Sequence, residues 1–170
     1  VIDEEDNALM RRRLVVLRHA KSSWPDGVAD RDRPLAARGL REAPLAGRWL
    51  NEHVGAIDLV LCSPARRAAQ TWAAVAEELD TVPEMRIEDR LYPGSPTDLT
   101  AAARRSPAEA ATVLLIGHNP GLEDLVTRVS RVSCVLKTSS IAVLSGPGDW
   151  SAIAPGWATL DAQVTPRPDL

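Results

Sequence analysis

Three short apolar runs in this chain each stop abruptly at a polar turn that carries a cation or an imidazole. Leu14-Val15-Val16-Leu17 gives way to Arg18-His19. Leu59-Val60-Leu61-Cys62 gives way to Ser63-Pro64-Ala65-Arg66-Arg67, and Val113-Leu114-Leu115-Ile116 to Gly117-His118-Asn119-Pro120. Continuous apolar runs of this length are typical of strands buried on both faces, which belong to parallel sheets covered by helices. The intervening segments read as helices: 35–53, an Ala-rich stretch over 66–79, a segment opened by Ser95-Pro96 and ending at 104, and 122–131. Alternation of strands and helices predicts an α/β fold, a single-domain three-layer sandwich with a mostly parallel central sheet and helices on both faces. Ligands of such sheets bind outside the carboxyl ends of the strands. Three strand ends bearing Arg, His, Arg and His can surround one anion, most simply a phosphate.

Finer expectations follow from local signals. Residues 20–34 form a polar loop long enough to be functional. The first helix should bury Leu35, Leu40, Leu45, Trp49 and Leu50 on one stripe, and Pro44 should kink or break it. Short strands are expected at 85–87 and 141–144, with Gly146-Pro147-Gly148-Asp149 as a turn. A last strand over 150–160, interrupted at Pro155-Gly156, suits an edge hairpin. The acidic residues 1–9 read as a disordered extension, and 10–170 as the folded domain beginning at Met10.

Composition excludes several classes. A net charge of −3 leaves no basic footprint for nucleic acid. No apolar stretch reaches the roughly 18 residues that a membrane span needs, and the acidic N-terminus is unlike a secretion signal. A cytoplasmic protein is expected. Cys62 and Cys134 make no disulfide framework, and Cys62, inside an apolar strand, reads as a buried free thiol.

Known phosphate chemistries can be tested against the residues. No G-x-x-x-x-G-K-[ST] loop occurs. A cysteine nucleophile separated from its Arg by five intervening residues would need Arg at Ala68, and Arg67 comes one position too early. Neither short-spaced Cys/His zinc ligands nor a G-x-S-x-G serine is present. A histidine nucleophile remains. Of the three histidines, His53 falls near a helix end, where an imidazolium meets the helix dipole, and reads as structural. His19 and His118 directly follow strands. Arg66 and Arg67 open a helix, a poor place for cations unless an anion lies between them and the backbone donors.

These residues resemble the histidine phosphatase (phosphoglycerate mutase-like) superfamily, and within it the short bacterial phosphohistidine phosphatases of the SixA type. Leu17-Arg18-His19-Ala20 is similar to the R-H-G segment, with Ala20 in place of Gly. The run from Ser63 to Thr71 is similar to S-P-x-x-R-A-x-Q-T, which puts the second arginine at Arg67 rather than Arg66. Gly117-His118-Asn119-Pro120 resembles G-H-x-P, and Pro34-Leu35 with Gly39 resembles a P-L-x-x-x-G helix entry. The resemblance covers about residues 12–160.

It implies His19 as nucleophile, forming a phosphohistidine enzyme that water hydrolyses to inorganic phosphate. Arg18 and Arg67 would bind phosphate oxygens and keep His19 neutral, and His118 would donate to a phosphoryl oxygen in a form that favours its protonation. Lys21, Ser22, Arg33 and Asn119 are candidate substrate contacts. Neither metal nor organic cofactor is implied. Larger members supply a carboxylic acid after the second motif. Glu84, Glu88 and Asp89 read here as solvated surface carboxylates instead. An acid-poor site fits phosphohistidine in a protein, whose imidazole leaves with a conjugate-acid pKa of about 6.5, better than an alkyl ester, whose alcohol has a pKa near about 15.7. A small-molecule phosphomonoesterase and a non-catalytic phosphate-binding partner of a phosphorelay are the alternatives.

Overall fold

A computed structural model describes residues 10–168, so the expectation for residues 1–9 lies outside the described residues. The strands are β1 (Arg11–Arg18), β2 (Leu59–Cys62), β3 (Glu84–Ile87), β4 (Thr112–Gly117), β5 (Ile141–Pro147) and β6 (Thr159–Val164). The helices are α1 (Ala37–His53), α2 (Arg66–Ala76), α3 (Pro96–Arg104) and α4 (Gly121–Ser130). One sheet runs β3-β2-β4-β1-β5-β6. Its first four strands are parallel, whereas β5 and β6 are antiparallel to their neighbours. The α/β fold with a mostly parallel sheet is therefore as expected.

Period-two alternation divides β1 between two cores. Leu14 and Val16 face Leu99 of α3 and Leu122, Leu125 and Val129 of α4. Val15 and Leu17 face Ala46 and Leu50 of α1 and Ala68, Trp72 and Val75 of α2. Helices thus cover both faces, giving three layers.

Several local expectations change. The helix α1 runs unbroken through Pro44. Pro44 is half-exposed and Leu40, four residues earlier, is 54% exposed, so the carbonyl that loses its donor lies on the watery side. Of the expected stripe, Leu35 and Leu50 are buried and Trp49 packs partly on the core, but Leu40 is exposed. The inner face of α1 is Gly39, Glu42, Ala43, Ala46, Gly47 and Leu50, because the chain approaches α1 closely. A Cβ on Gly47 would lie 2.8 Å from the Val75 carbonyl of α2, and one on Gly39 only 2.1 Å from the Lys21 carbonyl.

The second helix stops at Ala76 rather than 79. At the other end of the chain, β5 continues to Pro147 because Arg11, Arg12 and Arg13 extend β1 and pair with 145–147. The expected turn there shrinks to 148–149. Residues 150–160 do not form one strand. Trp150–Ala152 is a 3-10 turn with Trp150 wholly buried, and the edge strand is β6. An apolar indole whose N–H reaches the Ala110 carbonyl at 2.7 Å gains more from the core than from an edge.

Candidate active site

Strand register assembles the site. Arg18 is opposite Gly117 across β1 and β4, and Cys62 opposite Ile116 across β2 and β4. The three apolar runs therefore end level, and the polar residues that follow them converge. The His19 amide donates to the Gly117 carbonyl at 3.1 Å, and the His19 and His118 ring centroids lie 5.0 Å apart.

His19 is buried and held by its neighbour. Its Nδ1 lies 2.7 Å from the Ala20 carbonyl, which can only accept, so Nδ1 carries the proton and Nε2 keeps its lone pair. The Arg67 Nε approaches that Nε2 at 3.4 Å. Burial, followed by the charges of His118, Arg67 and Arg18, pushes the His19 pKa down to about 3. The imidazole is neutral as expected, but desolvation rather than the arginines is the main cause.

His118 is likewise pushed down to about 4, first by burial and then by Arg67. Its Nε2 is 2.7 Å from the Ser63 hydroxyl, whose oxygen also accepts from the Ala65 amide at 3.2 Å. The other ring nitrogen of His118, Nδ1, is buried without a protein partner. A pKa so lowered makes the His118 ring neutral at pH 7.

Arg67 is buried and Arg66 exposed, so only one of the two arginines opening α2 turns inward. Arg67 donates to the Asp30 backbone carbonyl at 2.7 Å and, through Nη2, to the Asp30 carboxylate at 3.1 Å. Arg18 gives Nη1 to the Leu136 carbonyl at 2.9 Å, while its Nε is buried without a protein partner. Burial lowers the Arg18 pKa against the raising influence of Glu123. Asn119 donates to the same Leu136 carbonyl at 2.8 Å.

All eight sequence candidates line one cavity of about 260 Å³: Arg18, His19, Lys21, Ser22, Arg33, Arg67, His118 and Asn119. Trp24 and Thr138 complete it. Arg33 is committed to the loop itself, donating to the Ser23 carbonyl at 3.0 Å, the Asp30 carboxylate at 2.8 Å and the Ser22 hydroxyl at 2.6 Å. Trp24, 74% exposed, has its ring 3.2 Å from the Arg33 guanidinium carbon. The loop is fixed from behind as well. Gln70 accepts from the Leu35 amide at 2.7 Å, and Thr71 accepts from the Ala20 amide at 3.0 Å. Ala20 packs its methyl with Leu35 and Ala43, which explains why a Cβ is accommodated beside His19.

Sequence reasoning missed Asp30 and Tyr92. Asp30 bridges Arg33, Arg67 and the Tyr92 hydroxyl, which donates to it at 2.6 Å. Hydrogen bonds from Tyr92, Arg33 and Arg67 hold its carboxyl far below the usual range. The signal was faint: Asp30 is one of several charges in a polar loop, and only folding sets it against α2. Glu84 pairs instead with Arg86, and Glu88 caps the turn Asp89–Leu91. His53 stacks on Trp49 at 4.6 Å, away from the cavity, and burial raises the Cys62 thiol to about 12. Among the described residues, no three His, Cys, Asp or Glu side chains cluster as metal ligands. No helix among them is long and apolar enough to cross a membrane.

Residues 14–133 match the model of the histidine phosphatase superfamily, branch 1. The chain belongs to that family. An uncharacterized protein of Mycobacterium tuberculosis is 41% identical over 162 residues, 89% of this chain and 100% of the relative. Phosphohistidine phosphatase SixA of Escherichia coli is 29% identical over 133 residues, 76% of this chain and 82% of that protein. The solved structure of a putative phosphohistidine phosphatase SixA from Nakamurella multipartitia superposes with a TM-score of 0.81 at 33% identity, covering 92% of this chain and 96% of the other.

Proposed function

We propose that this protein is a phosphohistidine phosphatase that hydrolyses phosphorylated protein through a phosphohistidine on His19, with no metal or organic cofactor. The observation that supports it most is the state of His19: neutral, its Nδ1 proton tied to Ala20 and its Nε2 lone pair beside Arg67. Nε2 attacks phosphorus in line, and the bond to the leaving nitrogen breaks with its electron pair going to that nitrogen. Water then attacks the phosphorus, His19 recovers its pair, and inorganic phosphate is released. Arg18 Nε, a buried donor without a protein partner, and His118 Nδ1, likewise unpartnered and able to carry a proton, suit phosphoryl oxygens, with Arg67. Lys21, Ser22, Arg33 and Asn119 shape the cavity. Because Asp30, the one carboxylate at the site among the described residues, is ionised, a small alkyl phosphate would find no acid for its leaving group among them.

Brief exposure to a reactive phosphate donor in the presence of EDTA tests this. The label should be lost in acid and survive base, as a phosphoramidate does, and map to His19. An acid-stable label on Ser22, Ser23 or Ser63, or a requirement for a divalent ion, would overturn the reading.

A further inference from the structure

Two unlike cavities meet at Arg67, His118 and Asn119. The first is rimmed by donors and positive charge from Arg18, Lys21 and Arg33. The second, of about 430 Å³, adds a carboxylate, an aromatic ring and a pyrrolidine: Asp30, Tyr92 and Pro93. Among the described residues, Asp30 is the only carboxylate lining either. We infer that the second cavity is the leaving-group subsite and that Asp30 selects leaving groups that bring their own proton donor. The inference rests on the phosphatase reading above and adds which residues discriminate among substrates.

The carboxylate has room for one more partner. Its two oxygens offer about four lone-pair positions, and three are taken by Arg33, Arg67 and Tyr92. The side chain is 49% exposed. Those three donors keep it ionised, so it does not protonate a leaving group. Its charge instead repels a second anionic group and attracts an N–H or a cation at that point. Tyr92 stands edge-on to the His118 ring at 5.5 Å, with the Arg67 guanidinium 5.9 Å from its centroid. The cavity therefore presents an acceptor beside an aromatic wall.

A flat ring with an N–H fits that chemistry, as in a phosphohistidine protonated on the ring nitrogen that does not bear phosphorus. When His19 attacks, the P–N bond breaks and its electron pair returns to the ring nitrogen. The ring departs neutral, its distal proton still shared with Asp30. No proton reaches or leaves the carboxylate, so an ionised Asp30 is sufficient here. A nitrophenolate has no proton to offer and gains nothing from it.

The test compares kcat/KM for a phosphohistidine peptide and for p-nitrophenyl phosphate in the wild type, Asp30→Asn and Tyr92→Phe. Loss of one charge-assisted hydrogen bond should lower the ratio of the two values about tenfold in Asp30→Asn. Tyr92→Phe, which keeps the ring and frees one lone pair of Asp30, should change the ratio about threefold or less while the fold persists. Parallel losses on both substrates in Asp30→Asn would show that Asp30 only holds Arg67, and would overturn the inference alone. So would an unchanged ratio. If Asp30→Asn fails to fold, Asp30→Glu decides, since a carboxylate should preserve the ratio and its collapse would overturn the inference. No turnover of the phosphohistidine peptide by the wild type would overturn the phosphatase reading and the inference together.

Discussion

The two ends of β1 both carry arginines, and they do opposite things. At the start, Arg12 is fully buried and donates to three backbone carbonyls: Gly148 at 3.1 Å, Ala108 at 2.7 Å and Ala110 at 3.2 Å. Arg13 beside it donates to the Val54 carbonyl at 2.8 Å. These cations fasten turns beneath the sheet. At the finish, Arg18 keeps a buried Nε without a protein partner, and Arg67 faces an imidazole and a carboxylate across an open cavity. Burial is common to both ends and so marks neither as functional. What distinguishes them is where the donors end: on fixed backbone, or on side chains around space that a ligand can enter.

The sharpest test of this difference is to remove the nucleophile. His19→Ala should abolish phosphatase activity while the thermal transition stays cooperative, because His19 tops a strand without filling either apolar core. Activity within about tenfold of wild type, well inside the losses typical of removing a nucleophile, would remove His19 from its role.

Next comes the arginine pair that opens α2. Arg67→Ala should lower kcat/KM by about 10²–10³, the usual loss for a donor to developing charge. Arg66→Ala, about 100° around the helix and exposed, should be nearly neutral. Kinetics of the two single variants decide it, and a larger loss at Arg66 would contradict the geometry.

Arg12→Ala should show the reverse pattern. It strands several buried carbonyls, so unfolding in urea should register a loss of about 2–4 kcal/mol, with kcat/KM of the folded protein almost unchanged. If activity falls instead while stability holds, the division between the two ends is wrong.

The sequence made the upper end legible because its information is local. An apolar run followed by Arg-His or Gly-His marks a strand end directly, and three such ends in one parallel sheet must lie side by side. The Ser63 to Thr71 run likewise singled out Arg67. Asp30 was illegible for the opposite reason. Its partners are 3, 37 and 62 residues away, and nothing in the run Asp30-Arg31-Asp32-Arg33 says which charge turns inward. The burial of α1 is legible only in part, at Leu35, Trp49 and Leu50, because apolar content alone also points to the exposed Leu40. Close packing on α2 and on the Lys21 carbonyl requires Gly39, Ala43, Ala46 and Gly47 on the inner face. Pairing also outweighed turn signals at 146–147, since β5 had a partner in the arginines that lengthen β1.

The smallest expected effect is on stability as a function of pH, and it too separates the ends. His19 and His118 are pushed down to about 3 and about 4 in the folded protein, against about 6.5 in an unfolded chain. Between those values the unfolded state binds protons that the folded state does not, so stability falls as pH drops below about 6.5 and is fully present above it. Each histidine should contribute about 1 kcal/mol of loss between pH 6.5 and 5.5. Urea unfolding across this window should therefore give a shallower slope for His19→Ala than for the wild type, because one of the two groups is gone. Arg12→Ala should shift the whole curve down without altering the slope, since it removes no group that titrates there. Equal slopes for His19→Ala and the wild type would mean that the folded site does not keep His19 neutral. The nucleophile would then have to lose a proton before each attack, and the rate would fall with acid through the ordinary histidine range rather than holding toward pH 5.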